Sequence, residues 1–357
     1  MSEGSLNIEK AVMERYTAGA RKPEKALCCP TKFDSDLLSA IPREILDRDY
    51  GCGDPTPYVR PGDTVLDLGS GAGKNCFLAA QLAGRDGRVI GVDMNDEMLG
   101  LARKHRRQVG DRLGYQNVEF RKGQIQDLRL DQERLDGYLK KNPVNGLADL
   151  ARLEEFRIGI CREHPLIPDN SIDCILSNCV LNLVRKTDRQ QLLQEMYRVL
   201  KPGGRVAISD IVAEKPVPEK LMEDSGLWTS CISGAFQEEE FLNAFETAGF
   251  YGMEIAAWGD DPYAVVEGLE FRSVTITARK GKEGPCPDRG HTVVYRGPWS
   301  AVQDDDGHRL VRGVRTAVCD KTFRIFGKGP YRDDLILLEP KNPDAKESPR
   351  DGKTSCC

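Results

Sequence analysis

Two kinds of residue in this 357-residue chain are placed to do chemistry: glycines followed at a fixed distance by a carboxylate, and thiols. In VLDLGSGAGKN the run Val65 to Leu68 ends in Gly69, Gly71 and Gly73, and apolar residues at Phe77, Leu78 and Leu82 then recur at helical spacing. The pattern predicts a strand, a tight glycine turn and a helix start. Gly69 and Gly71 carry no Cβ, so a ligand can come up to the backbone there. A second strand over 88–92 ends at Asp93, twenty residues after Gly73. A carboxylate at that spacing accepts both hydroxyls of an adenosine ribose. The cysteines number twelve. A chain of this length needs no disulfide staples, so they point to metal, metalloid or redox chemistry, or singly to small buried apolar side chains. Cys52 lies between glycines in YGCG, Cys179 follows a strand in SNCVLNLV, and Cys231 stands in LWTSCISGAF.

The elements that must position these residues follow from periodicity. A helical pattern covers 7–20; Cys28 and Cys29 beside Pro30 read as a loop, and helix resumes over 36–49 with a break at Pro42. Asn95 caps a helix running to about Gln108. A third strand, 118–121, ends near Gln124, Ile125 and Asp127, where the adenine of a nucleoside ligand would find an apolar contact and a hydrogen-bond partner; for Gln124 and Asp127 a solvated loop fits equally well. Residues 129–165 read as a charged, irregular insertion with one helix over 147–156. A fourth strand, 171–177, delivers Asn178 and Cys179 to the crevice where open α/β sheets bind ligands. An amphipathic helix over 187–200 stops at KPGG, a fifth strand runs 205–212, a helix covers 238–248, and 251–258 with 270–278 read as a hairpin completing the sheet. Cys174 and Cys76 are expected in the core. After a linker at 281–287, the runs HTVVYRG, HRLVRG and KTFRIF read as strands of a small unit, with DDDG (304–307) a hairpin turn rather than a calcium loop, since the closing Glu is missing. Residues 341–357, ending in the vicinal Cys356 and Cys357, read as disordered.

Composition is that of a soluble globular protein: 30% charged, 39% hydrophobic, net charge −5. This charge offers no general reason to bind nucleic acid or an anionic membrane. No apolar run is long enough for a membrane span, and MSEGSLNIEK lacks a signal-peptide core, so a cytoplasmic, reducing location is the expectation.

The G-x-G-x-G spacing departs from the dinucleotide pattern, which needs its third glycine where Lys74 stands. It looks like motif I of the class I S-adenosylmethionine (SAM) methyltransferases. The wider set of motifs, ALCCP, YGCG, LDLGSGAGKN with GVDM, SNCVLNLV with RVLKPGG, and LWTSCISGA, resembles the arsenite SAM methyltransferases over about 28–280, and YRGPW, DDDGH and VCDKTFRIF resemble the small end domain of many members. The resemblance implies a Rossmann-like α/β fold with a seven-stranded sheet and a small α+β or β-rich C-terminal unit. Its segments would be a cysteine-bearing 1–54, a SAM domain over 55–215, an arsenic-binding part over 216–281, an end domain over 285–340 and a tail over 341–357.

The resemblance further implies that Cys179 and Cys231 hold trivalent arsenic, with Cys52 as third ligand or mobile partner. Cys28 or Cys29 would pair with Cys52 in a disulfide relay reset by thioredoxin or glutathione. Asp67, Gly69, Gly71, Gly73, Asp93, Met94, Gln124, Ile125 and Asn178 would bind SAM, Asp93 on the ribose and Asn178 at the methionine end. The substrate would be arsenite or its thiol conjugates, and the protein a monomer. The chemistry suits thiols: trivalent arsenic is soft and three-coordinate, and its lone pair can attack the SAM methyl with no proton to remove. Two rivals are a methyltransferase of the same fold acting on a thiol, an amine or antimonite, and a thiol protein that sequesters metalloid. The insertion at 129–165 departs from the family pattern.

Overall fold

In a computed structural model, residues 8–24 and 33–340 are described; Cys28, Cys29, Cys356, Cys357 and the 341–357 tail lie outside them. The chain divides into two units, Met1–Gly249 with Ile255–Lys280, and Phe250–Glu254 with Gly281–Cys357.

The first unit is built on a sheet of nine strands: β1 Thr64–Leu68, β2 Arg88–Asp93, β3 Val118–Lys122, β4 Ile172–Asn178, β5 Leu200–Ala213, β6 Phe236–Gln237, β7 Tyr251–Trp258 (of which 255–258 belong to this unit), β8 Ala264–Val266 and β9 Leu269–Arg279. The main path runs β3-β2-β1-β4-β5-β9-β7, with β6 added to β5 and β8 to β9. β1 to β5 pair in parallel, and β9 runs antiparallel to β5. The strands β1 and β4 are almost wholly buried, as expected of a parallel sheet covered on both faces. Order reverses between β1 and β4, so the carboxyl ends of β1, β2 and β4 open into one crevice.

Several elements differ from expectation, each for a local reason. The 129–165 insertion holds two helices, Gln132–Lys141 and Leu147–Glu163. Asp131 caps the first, accepting from Arg134 N at 3.0 Å. Tyr138 and Phe156 stack between the two helices at 4.0 Å. Their apolar stripe is narrow, so the surrounding charge masks the period. The Asn95-capped helix continues to Leu113, because Val109 carries the buried stripe one turn further. β5 starts at Leu200: KPGG stays in the strand because Gly203 N bonds Lys280 O at 2.7 Å and Lys280 N bonds Gly204 O at 3.1 Å.

The second unit contains a three-stranded sheet in the order β13-β10-β14 (β10 Thr292–Tyr295, β13 Arg315–Ala317, β14 Leu335–Leu338) and a two-stranded hairpin of β11 Ala301–Gln303 and β12 Arg309–Val311. The acidic 304–307 stretch turns that hairpin. KTFRIF, expected as a strand, is a helix, Asp320–Phe326, capped by Cys319, whose sulfur accepts from Thr322 N at 3.3 Å. The Phe323/Ile325 alternation suggested a strand, but Phe323 and Phe326 share a helical face turned to the unit's core. Among the described residues no helix is long and apolar enough to cross a membrane.

The first unit's layers are locked by aromatics such as Phe245, fully buried and edge-on to Phe241 at 5.5 Å. Phe245→Ala should lower stability by about 3–5 kcal/mol, read as a fall in the urea midpoint with an unchanged slope.

Candidate active site

The glycine turn after β1 forms the floor of a cleft. Gly69, Gly71 and Gly73 all have positive φ, at 69°, 52° and 92°. A Cβ on Gly71 would meet nothing within 4 Å, whereas one on Gly73 would lie 2.8 Å from Phe120 Cζ. Gly71 therefore opens toward a ligand, and Gly73 lets the following helix pack on the sheet. At the end of β2, Asp93 accepts from Gly71 N and Asn95 N, each at 2.8 Å, which fixes its carboxylate beside the turn. Burial pushes this carboxyl up, opposed by the N–H groups of Asn95, Gly71 and Met94. Met94, Met98 and Ile125 supply apolar wall.

Of the cofactor residues expected, Gly69, Gly71, Asp93, Met94, Ile125 and Asn178 line the cleft. Gln124 does not; its neighbour Gln126 does, because Gln124 bridges to Asp127 and Asp127 turns to the N–H groups of Arg129 and Leu130. Asp67 lies beneath the turn at 1% exposure, accepting from the Cys76 thiol at 3.1 Å. Periodicity gave no hint of Tyr16, from α1 (Ile8–Arg21), or of Ser70 and Asn75, which also line the cleft. Ser70 Oγ and Asn75 Oδ1 are buried and have no hydrogen-bond partner. Open backbone at Gly71, a held carboxylate at Asp93 and these two unmatched polar atoms fit a nucleoside ligand such as SAM. Lys74, where a dinucleotide loop would need glycine, is instead a buried cation paired with Asp49 and lying 3.4 Å over the Phe33 ring.

The thiols meet at the far side of the cleft. Cys52, Cys179 and Cys231 are 7%, 5% and 4% exposed and share one apolar cluster with Ile211, Val217, Ile232 and Phe271. Cys52 and Cys179 are joined in a disulfide, Cα atoms 5.8 Å apart. The Cys231 thiol donates to the Cys179 carbonyl at 3.1 Å. The expected partner of Cys52 was Cys28 or Cys29, which lie outside the described residues; the structure pairs Cys52 with Cys179, which its own loop touches.

That loop is held by two side chains, Asn178 and Ser273. Asn178 Oδ1 accepts from Cys52 N at 2.8 Å and Gly53 N at 3.2 Å, and its Nδ2 donates to Gly53 O at 2.7 Å. Ser273 Oγ donates to Cys52 O at 2.7 Å. The approach is close enough to demand both glycines of YGCG: a Cβ on Gly51 would stand 2.3 Å from Asn178 Nδ2, and one on Gly53 2.7 Å from Ser209 Oγ. Asn178, expected at the methionine end, lines the cleft and clamps the Cys52 turn.

Cys179 and Cys231 have positive φ, 59° and 63°, in a chain where only Asn170 and Glu267 among the other described non-glycine residues do so. Such a conformation costs about 1–2 kcal/mol per residue and is retained where the surroundings over-determine it. Behind Cys179 lies Asp210, fully buried, accepting from Leu181 N at 2.9 Å, Asn182 Nδ2 at 2.8 Å and Ile211 N at 2.8 Å. Its carboxylate and the sulfurs of Cys52 and Cys179 lie within 4.8 Å of one another. Burial pushes Asp210 up to about 6. Its signal in the sequence was a lone acid inside the apolar run VAISDIVA.

Gly51→Ala should unseat the Cys52 turn, seen as faster thiol labelling of the reduced protein and a lower Tm. Burial holds Asp67 at about 7 against an ordinary 3.8, so the folded state binds this proton more tightly than the unfolded chain. The stability this contributes is complete below the unfolded value and is lost as pH rises through the folded one. Relative to the parent chain, Asp67→Asn should therefore gain Tm between about pH 5 and about pH 8, checked by melts at both.

Comparison with known proteins agrees with this geometry. A family model described as "Methyltransferase domain" matches residues 60–155 and 151–249, and a domain of unknown function (DUF8838) matches 282–356. An arsenite methyltransferase of Aquipseudomonas alcaligenes is 34% identical over 304 residues, covering 81% of this chain and 77% of the relative. The human arsenite methyltransferase is 32% identical over 319 residues, covering 86% and 75%. The crystal structure of an arsenic(III) S-adenosylmethionine methyltransferase from Chlamydomonas reinhardtii superposes with a TM-score of 0.58 at 26% identity, covering 88% of this chain and 96% of the other. The SAM cleft, the three converging thiols and these relatives together place the chain in the arsenite methyltransferase family of class I SAM-dependent methyltransferases.

Proposed function

We propose that the chain methylates trivalent arsenic held by Cys52, Cys179 and Cys231, taking methyl groups from SAM bound over the glycine turn. The observation that carries this reading is the meeting of three cysteines, successively 127 and 52 residues apart along the chain, at the wall of the SAM cleft: Cys179 itself lines that cleft. Three soft thiolates match the coordination of arsenite, and each As–S bond forms as a thiol proton leaves with an arsenic-bound hydroxide as water.

SAM, when bound, supplies an electrophilic methyl. The protein's part is to hold the arsenic lone pair in line with it and to keep water away, which the apolar cluster around the cysteines does. Asp93 would take the ribose hydroxyls, Met94 and Ile125 the adenine region, and Asn178 the ground between cofactor and thiols. Methyl transfer formally oxidises the arsenic by two electrons. Two of its thiolates can return those electrons and leave as a disulfide, and the Cys52–Cys179 bond has the composition of that product. Two external thiols, from thioredoxin or glutathione, would then reduce it by exchange, passing through a mixed disulfide. In this reading Cys28 or Cys29 serves as a relay between Cys52 and the external reductant, in a monomeric cytoplasmic enzyme.

Cys179→Ser and Cys231→Ser should each abolish transfer of labelled methyl to arsenite while SAM binding persists; methylation by either variant would count against the ligand assignment. Asp93→Ala should weaken SAM by about tenfold to a hundredfold, as befits lost hydrogen bonds to a charged group, measured by calorimetry.

A further inference from the structure

The Ile8–Arg21 helix, α1, touches both ends of the reaction path. On the cofactor side Met13 and Tyr16 line the cleft, and Thr17 Oγ1 accepts from Asn95 Nδ2 at 2.9 Å, on the residue that caps the helix beyond Asp93. On the acceptor side a single guanidinium group, that of Arg15, reaches the turn that carries Cys231. Arg15 Nη1 donates to Gly226 O at 2.9 Å, to Thr229 Oγ1 at 2.7 Å and to Ser230 Oγ at 2.7 Å. Its other nitrogens bind Glu24, with Nη2 to Oε1 at 2.8 Å, so the group is held planar and aimed.

These contacts fall on the residues that set the Cys231 backbone. Thr229 follows the short helix Ser225–Trp228, and Cys231 N bonds back to Trp228 O at 3.0 Å. Cys231 then takes φ 63°, a conformation a cysteine does not hold unaided. On the opposite side Asn182 Nδ2 donates to Cys231 O at 3.3 Å. The thiol-bearing turn is thus gripped from within by Asn182 and from outside by Arg15. The hydrogen bonds of the Arg15 side chain go to Glu24, Gly226, Thr229 and Ser230, none of which lines the cleft.

We infer that Arg15 is a positioning residue for the acceptor site, holding the 226–230 turn so that Cys231 is presented to arsenic beside Cys179. This rests on the reading of Cys231 as an arsenic ligand. Because the grip is on the turn and not on the cleft, its loss should fall on the acceptor and spare the cofactor.

The test uses the full chain reduced with a phosphine, so that no thiol competes for arsenic. Sodium arsenite binding is followed by Trp228 fluorescence, SAM binding by calorimetry, and methyl transfer by initial rates. Arg15→Ala should weaken arsenite binding and raise its KM by about tenfold, with SAM affinity and kcat at saturating arsenite within about twofold. Arg15→Lys, which keeps the charge but cannot span three acceptors, should recover part of the loss. Unchanged arsenite affinity in folded Arg15→Ala, or equal losses of arsenite and SAM, would overturn the inference. Should Arg15→Ala not fold, Thr229→Val carries the test: a raised arsenite KM with unaltered SAM affinity supports it, and no change overturns it. A parent chain that binds no arsenite would overturn the acceptor reading itself, a result distinct from parent binding that Arg15→Ala leaves untouched.

Discussion

One side-chain amide holds the site together. Asn178, the last residue of β4, presents an acceptor and a donor to the backbone of Gly53 and an acceptor to Cys52. The pairing mimics a peptide group, so the loop is fastened to the sheet as if it were an added strand. Such bonds are worth about 1 kcal/mol each in net stability, but leaving this buried amide unmatched would cost more. The clamp sets where Cys52 can be, and β4 sets where Cys179 must be. The two sulfurs meet because adjacent residues, 178 and 179, do the holding and the bonding.

Backbone strain is concentrated where the thiols are. Cys179 leaves β4 in a left-handed conformation while its N–H still bonds Ser209 O at 2.8 Å, so the chain turns sharply without losing the strand register. Asp210 supports that turn from the next strand by accepting the N–H groups of Leu181 and Asn182. Cys231 is strained alike and is held by Asn182 and Arg15 through its neighbours. Parallel strands thus supply a rigid base, and side chains from other segments enforce conformations the local sequence would not choose.

Much of the fold was legible because it rests on short-range rules. The glycine turn, the Asn95 cap, the break at Pro42 and the buried strands β1 and β4 follow from propensity and period within a few residues. The misreadings share a cause as well. The Gln132–Lys141 helix hides its apolar face among charges, and its Tyr138 finds a partner only across the hairpin at Phe156. The Asp320–Phe326 helix has alternating hydrophobics that fit a strand equally well until Phe326 meets a core. Gln124 and Gln126 differ by two positions in a turn whose direction is set by Asp127, beyond the reach of a periodicity argument.

By itself the sequence determined the identity of the chemistry: a glycine turn with a carboxylate twenty residues on, and thiols in loops or at strand ends rather than in apolar stripes. Those are properties of residue type and spacing, which survive without coordinates. Tertiary structure alone decided which thiol faces which, that Asn178 serves the Cys52 turn as well as the cleft, and that Asp210 and Arg15 stand behind Cys179 and the Cys231 turn. Each of those relations joins segments separated by tens to hundreds of residues, and their distances are fixed by sheet order and side-chain reach, quantities that no local pattern encodes.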